Sequence, residues 1–268
     1  MPLPSNPRLG VPHALASGAA VLGLLALCGP FVAQPPGYHH FADQRAWGAL
    51  PHALDVLSNL AFAAAAVAGA RLLACGRAQH LPAALRWLAA LFFTGLACSA
   101  VGSAVYHWAP GDATLAGDRL GMAIAFAGML GLAVHSRVAG GAGVAAALGM
   151  LLAAVAAVLV WLHSGNVLPW ALVQAGGMLA VLALSPMAPR IGGLPLRLGA
   201  VIAWYGAAKL LEWGDAAVFD ATAGLVSGHS LKHVLAAAAA WPVLAALRTA
   251  CAGTMCAGAG VHGGAANR

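Results

Sequence analysis

Two histidines four positions apart, His229 and His233, stand in a segment whose apolar pattern reads as helix. Residues i and i+4 of a helix stack on one face about a turn apart, which lets two imidazoles share one metal ion. A catalytic zinc site takes a third protein ligand and leaves a position open for water. His107 is the natural third ligand, because it falls at the same depth in the apolar pattern. Ser103, four residues before it, shares its helical face, and Asp118 follows after a short turn containing Pro110 and Gly111. Three neutral imidazoles, one hydroxyl and one carboxylate make a complete hydrolytic set: metal ligands, a hydrogen-bond donor for a developing oxyanion, and a proton carrier.

The elements that must position these groups are membrane spans. Of the 268 residues, 62% are hydrophobic and 7% charged, with a mean hydropathy of +0.85, whereas a water-soluble domain carries roughly 25% charged residues. That excludes a soluble globular enzyme and a disordered chain. The net charge of +6 comes from singly scattered arginines and lysines, with no basic run, which excludes a nucleic-acid binder. The five cysteines show neither CxxC nor paired-loop spacing, so they form no thiolate metal site.

A span needs about 20 mostly apolar residues. Segments 13–32, 53–75, 83–107, 115–135, 141–163, 167–184, 196–213 and 228–248 meet that test, and no period-2 alternation supports a barrel. The expected fold is an all-α polytopic membrane protein: a seven-helix transmembrane bundle with one extra N-terminal span. Three parts follow: 1–52, with the extra span and a non-cytoplasmic loop; 53–248, the seven-span core; and 249–268, a flexible tail. The first segment also fits a signal peptide, since Arg8 precedes its apolar run, but the C-terminus falls on the same side either way. Arg8, Arg71, Arg77, Arg86, Arg137, Arg190, Arg197, Arg248 and Arg268 gather at the side of the termini, which makes that side cytoplasmic. The six aspartates and the single glutamate lie on the other. The protein is expected in a bacterial inner membrane with both termini cytoplasmic and the site toward the non-cytoplasmic face.

Each polar group has a plain reading beside the chemical one. A histidine pair at a helix end suits an aqueous vestibule, Asp118 with Arg119 suits an interfacial ion pair, and Ser103 suits packing or a bond to its own backbone. Their convergence at one depth favours chemistry, because ionisable groups inside spans are costly. Asp55, Ser58 and Asn59 read as pinning the second span, Lys209 and Glu212 as a structural pair, and His39 with His40 as groups tuning access.

The strings Asp55-Val-Leu-Ser-Asn59, Ser103-Ala-Val-Tyr-His107-Trp-Ala-Pro, Leu115-Ala-Gly-Asp118-Arg-Leu and Gly228-His229-Ser-Leu-Lys-His233 resemble the alkaline ceramidase family. That family is part of a larger group of seven-span membrane hydrolases that includes the adiponectin-receptor-like proteins. The resemblance covers most of the chain and rests on order and spacing more than on any one string. It implies a zinc ion held by His107, His229 and His233, with Ser103 and Asp118 beside it, and cleavage of the amide of ceramide or a related N-acyl lipid taken from the bilayer, releasing fatty acid. The chain departs from the pattern before the first core span, where only Asp43 and Asp55, with His52 nearby, stand in place of a richer acidic cluster, so calcium is not expected. Its Ala-rich, Arg-dominated composition resembles that of bacteria with GC-rich genomes, many of which lack ordinary ceramides. Two rivals remain: a non-catalytic receptor-like or structural protein with a zinc staple, and a small transporter using Asp118 and the histidines as a proton relay.

Overall fold

The computed structural model describes residues 10–259; Arg8 and Arg268, counted above as side markers, lie outside them, as do residues 260–268 of the expected tail. The described chain is helical almost throughout: α1 (Val11–Cys28), α2 (Ala53–Ser58), α3 (Leu60–Ala74), α4 (Ala83–Trp108), α5 (Asp112–Arg137), α6 (Gly140–Ser164), α7 (Leu168–Leu184), α8 (Leu198–Trp213), α9 (Asp215–Ala221), α10 (Gly228–Ala238) and α11 (Trp241–Ala259). A short 3-10 turn, Gly76–His80, follows α3. Six helical stretches are long and apolar enough to cross a membrane, counting α2 with α3 and α10 with α11 as single rods, and α7 is a shorter apolar one. This is the all-α polytopic membrane bundle expected from the hydropathy. Helix α11 runs on to Ala259, so 249–259, expected to be tail, is helical.

Two of the rods are broken, for different reasons. Between α2 and α3 the side chains of Ser58 and Asn59 both turn back onto the Asp55 carbonyl, at 2.9 and 2.8 Å, competing with the helical ladder. Between α10 and α11 the cause is Pro242, which lacks an N–H and crowds the carbonyl four residues before it. The backbone tightens there into i to i+3 bonds from Ala239, Ala240 and Val243.

Helices α4 and α5 are in intimate contact through glycine. A Cβ on Gly95 or Gly128 would overlap the backbone of the facing helix; one on Gly121 would lie 2.6 Å from the Ser99 nitrogen, and one on Gly102 would lie 2.7 Å from the Gly117 oxygen. Lipid tails are as apolar as leucine, so such close backbone approach is what holds helices together in a bilayer. The crossing at Gly102 and Gly117 also sets the next residues, Ser103 and Asp118, side by side. Helix α5 is the most enclosed, whereas α1 buries none of its residues and leans on α7, where Leu22 occupies the space a Gly176 side chain would need.

At the end of the bundle away from His107, His229 and His233, polar side chains clamp the link between α7 and α8. Arg137 donates to the Leu196 carbonyl at 2.6 Å and to Ser136 Oγ at 2.7 Å; Ser136 donates in turn to the Leu194 carbonyl. Arg190 Nε donates to the His135 carbonyl at 2.7 Å. At the histidine end, residues 29–52 cross over the bundle as a strap. Val32 bonds Asn166 and Val167 in the turn between α6 and α7, Ala42 N donates to Asp215, and Arg45 reaches the Leu225 carbonyl.

Candidate metal centre

His107 lies in the last turn of α4, and His229 and His233 in the first two turns of α10. Helix α10 starts sharply because Ser227 caps it, its Oγ accepting the Ser230 N–H at 2.9 Å. The three rings are buried, with centroids 4.7, 5.0 and 5.1 Å apart, and one ligand atom from each falls within 4.8 Å of the others. His107 Nε2 and His229 Nε2 are 3.2 Å apart. Two nitrogens each about 2.0–2.1 Å from a tetrahedral ion are separated by roughly 3.3 Å, so this spacing fits a shared metal. The three histidines could therefore hold a metal ion. Among the described residues no other group of histidine, cysteine or carboxylate side chains is so arranged.

The neighbouring groups set the rings' orientation. Ser58 Oγ donates to the Asp55 carbonyl and so accepts the Nδ1–H of His233 at 2.8 Å, which leaves the His233 Nε2 lone pair facing the other rings and Ser103 Oγ at 3.4 Å. A hydrogen bond on the far nitrogen is the usual way a ligating imidazole is held in one tautomer. Asp55, fully buried, accepts from Ser230 Oγ at 2.6 Å and Ser227 Oγ at 3.2 Å, fastening α2 to the start of α10. Asp215 takes the His229 N–H at 2.7 Å on one oxygen and the Ala42 N–H at 3.0 Å on the other. That second bond anchors the strap, and the adjacent Phe41 ring packs edge-on against His107 and His229 at 4.5 and 4.8 Å. Within the strap the Arg45 guanidinium, bonded to Asp43 at 2.8 and 2.6 Å, holds that carboxyl below the usual carboxylate range.

The His229 and His233 rings line the polar end of a cavity of about 770 Å³ between α3, α4, α5, α6, α7, α8 and α10. Ser103, Asp118, Lys209, Glu212, His229, Lys232 and His233 face one end; Phe92, Met129, Met150 and Val181 line its apolar depth, and α1 contributes nothing. Asp118 interacts with Ser103 across the close crossing of α4 and α5. Four of the five residues singled out from spacing thus line one cavity, and the fifth, His107, is in ring contact with two of them.

Other expectations were met only in part. Glu212 does pair with Lys209, but it also accepts Lys232 at 2.6 Å, so two ammonium groups share one carboxylate inside the cavity. Asn59 pins its own helix, whereas Asp55 and Ser58 reach across to α10. Arg119 forms no ion pair with Asp118; its guanidinium lies 3.9 Å from the Trp161 ring centroid and donates to Gln34 at 3.1 Å. His39 bonds Tyr106 and Asp112 above the cavity, and His40 lines it. Spacing did not reveal Phe41 or the bonds of Asp215. The available signal was indirect: a large apolar residue in the largely polar stretch 39–45, and an aspartate that opens the short helix α9.

Compared with family models, curated proteins and solved structures, the chain matches none.

Proposed function

We propose that the protein is a zinc-dependent intramembrane hydrolase that cleaves the amide of ceramide or a related N-acyl lipid. The observation that carries this reading is the meeting of three buried histidines with Ser103 and Asp118 at the polar end of an otherwise apolar cavity. His107, His229 and His233 would hold the ion, which when bound supplies Lewis acidity to water and to the acyl oxygen. Asp118 takes a proton from the attacking water and delivers it to the leaving nitrogen. Ser103 Oγ donates a hydrogen bond to the acyl oxygen as it gains charge. The C–N bond breaks, a C–O bond forms, and the products are a fatty acid and an amine. The apolar depth of the cavity suits the acyl chain, and its volume lies within the range of about 300–1,000 Å³ common for small-ligand sites. The arginine bias supports a cytoplasmic position for both termini and a non-cytoplasmic one for the site.

The test is metal analysis of the purified protein together with mass spectrometry of fatty acid released from lipid extracts. One zinc per chain with zinc-dependent release supports the reading; full release from metal-free protein overturns it. The second reading is a non-catalytic zinc staple, favoured by the fact that the ligands tie α4 to α10. Asp118→Asn separates the two: metal and fold persist in both, and only an enzyme loses turnover.

A further inference from the structure

Among the described residues, every Lys and Arg facing the cavity has a carboxylate partner except one. Lys209 and Lys232 share Glu212. Arg119, only 3% exposed, is in none of the ion pairs among the described residues. One of its nitrogens donates to Gln34, while Nε and Nη1 are buried with no hydrogen-bond partner. A buried guanidinium with two unused donors is costly unless something supplies acceptors. The surroundings fix it in place: Trp161 lies under its face at 3.9 Å, and Tyr38 and Trp170 flank it at 5.7 and 5.8 Å. Aromatic faces hold a guanidinium's plane without occupying its N–H groups. Arg119 also lines the cavity, as does Asp118 beside it in sequence.

We propose that Arg119 anchors an acidic oxygen group, a carboxylate or phosphate, on the headgroup of the lipid amide. This rests on the hydrolase reading and narrows its substrate class from neutral N-acyl lipids to acidic ones such as N-acyl amino acids. Nε and Nη1 lie on different edges of the guanidinium, so an acidic oxygen brought to either one would take a charge-assisted hydrogen bond, roughly twice as strong as a neutral one. Lys209 and Lys232 balance Glu212 and Asp118 among the cavity's lining residues, and Asp215 is bonded to the Ala42 and His229 N–H groups, so Arg119 carries the charge left without a carboxylate to match it.

The test uses the full-length, zinc-loaded protein in nanodiscs with three probes of one chain length: N-lauroylglycine, N-lauroylethanolamine and lauric acid. Hydrolysis of N-lauroylglycine is expected to exceed that of N-lauroylethanolamine by about tenfold or more in kcat/KM, the scale of a charge-assisted hydrogen bond. Arg119→Gln, with its zinc content checked, brings that ratio to within about threefold of one. Binding to the Asp118→Asn protein, read by displacement of a fluorescent acyl probe, follows the same order and loses it when Arg119→Gln is added. Equal treatment of the two amides by the wild type overturns the proposal, as does an equal loss on both in Arg119→Gln, the mark of a merely structural arginine. Arg119-dependent binding of lauric acid with no preference between the amides also overturns it, by assigning the guanidinium to the product. Arg119-dependent binding of N-lauroylglycine without hydrolysis of either amide sinks the hydrolase reading and leaves the anchor standing; hydrolysis of both amides alike does the reverse.

Discussion

The two ends of the bundle both bury arginine, histidine and serine, but they use them differently. At the α7–α8 link, Arg137 and Ser136 donate to backbone carbonyls of an irregular segment, and Arg190 of that segment donates back to the His135 carbonyl of α5, which turns costly buried polar groups into fasteners. At the other end, side chains face side chains: three imidazoles converge, Ser58 bonds the His233 ring, Ser230 bonds Asp55 across to α2, and Arg119 keeps two donors unused. One end fastens a backbone link, although Arg137 Nε and His135 Nδ1 there have no hydrogen-bond partner, and the other turns its side chains toward one another around a cavity. A buried ionisable group in a membrane span is thus a poor guide to function by itself; where its hydrogen bonds go is the better guide.

Mutations at the two ends should therefore fail in different ways. The largest effect is expected for His229→Ala or His233→Ala, which take zinc from about one per chain to none and turnover to background; metal retained at full stoichiometry would break the contrast. Ser103→Ala should keep the metal and lower kcat by about 10²–10³-fold, the range for loss of one preorganised oxyanion donor. Arg137→Ala should do the opposite. It loses two hydrogen bonds from a charged donor, each worth about 1.5–3 kcal/mol, so the unfolding midpoint falls while the zinc content of the folded fraction stays the same. Ser58→Ala is a finer probe, predicted to weaken zinc affinity by about 10–100-fold in a competitive chelator titration.

The smallest effect concerns Asp43 in the strap. Its folded-state pKa is lowered by Arg45, so the stability it contributes is present above the unfolded aspartate value of about 3.9 and is lost as pH falls through the folded one. Melting curves of wild type and Asp43→Asn should accordingly differ at neutral pH and converge on acidification below about pH 4.

Much of this was legible in the chain because hydropathy reports membrane depth directly. The span positions and the meeting of Ser103, His107, Asp118, His229 and His233 at one level both follow from it. Lateral position was not legible, since lipid-facing and core-facing helices are equally apolar: α1 and α5 read alike, yet one buries none of its residues and the other is the centre of the bundle. Contacts set by loop paths were hidden as well. Nothing local to Phe41 or Asp215 points to the site, because the Ala42–Asp215 bond that fixes the strap joins residues 173 apart in sequence. The arginines at the far end were read as markers of membrane side, but Arg137 is 3% exposed and acts as a clamp, a role decided by where the 185–197 segment lies.

The glycine contacts between α4 and α5 have a mechanical consequence. With no side chains between their backbones, the two helices have almost no room to slide or roll, so they move as a single body that carries Ser103, His107 and Asp118. His229 and His233 ride on another body, α10, a rod of 11 residues cut off from α11 by a proline and tethered through Asp55 and Asp215. The distance between His107 and His229 is then a gauge of how those two bodies stand to each other. A pair of spin labels, one on the outer face of each, would read that gauge and report whether loading with zinc locks a joint that is otherwise free to turn.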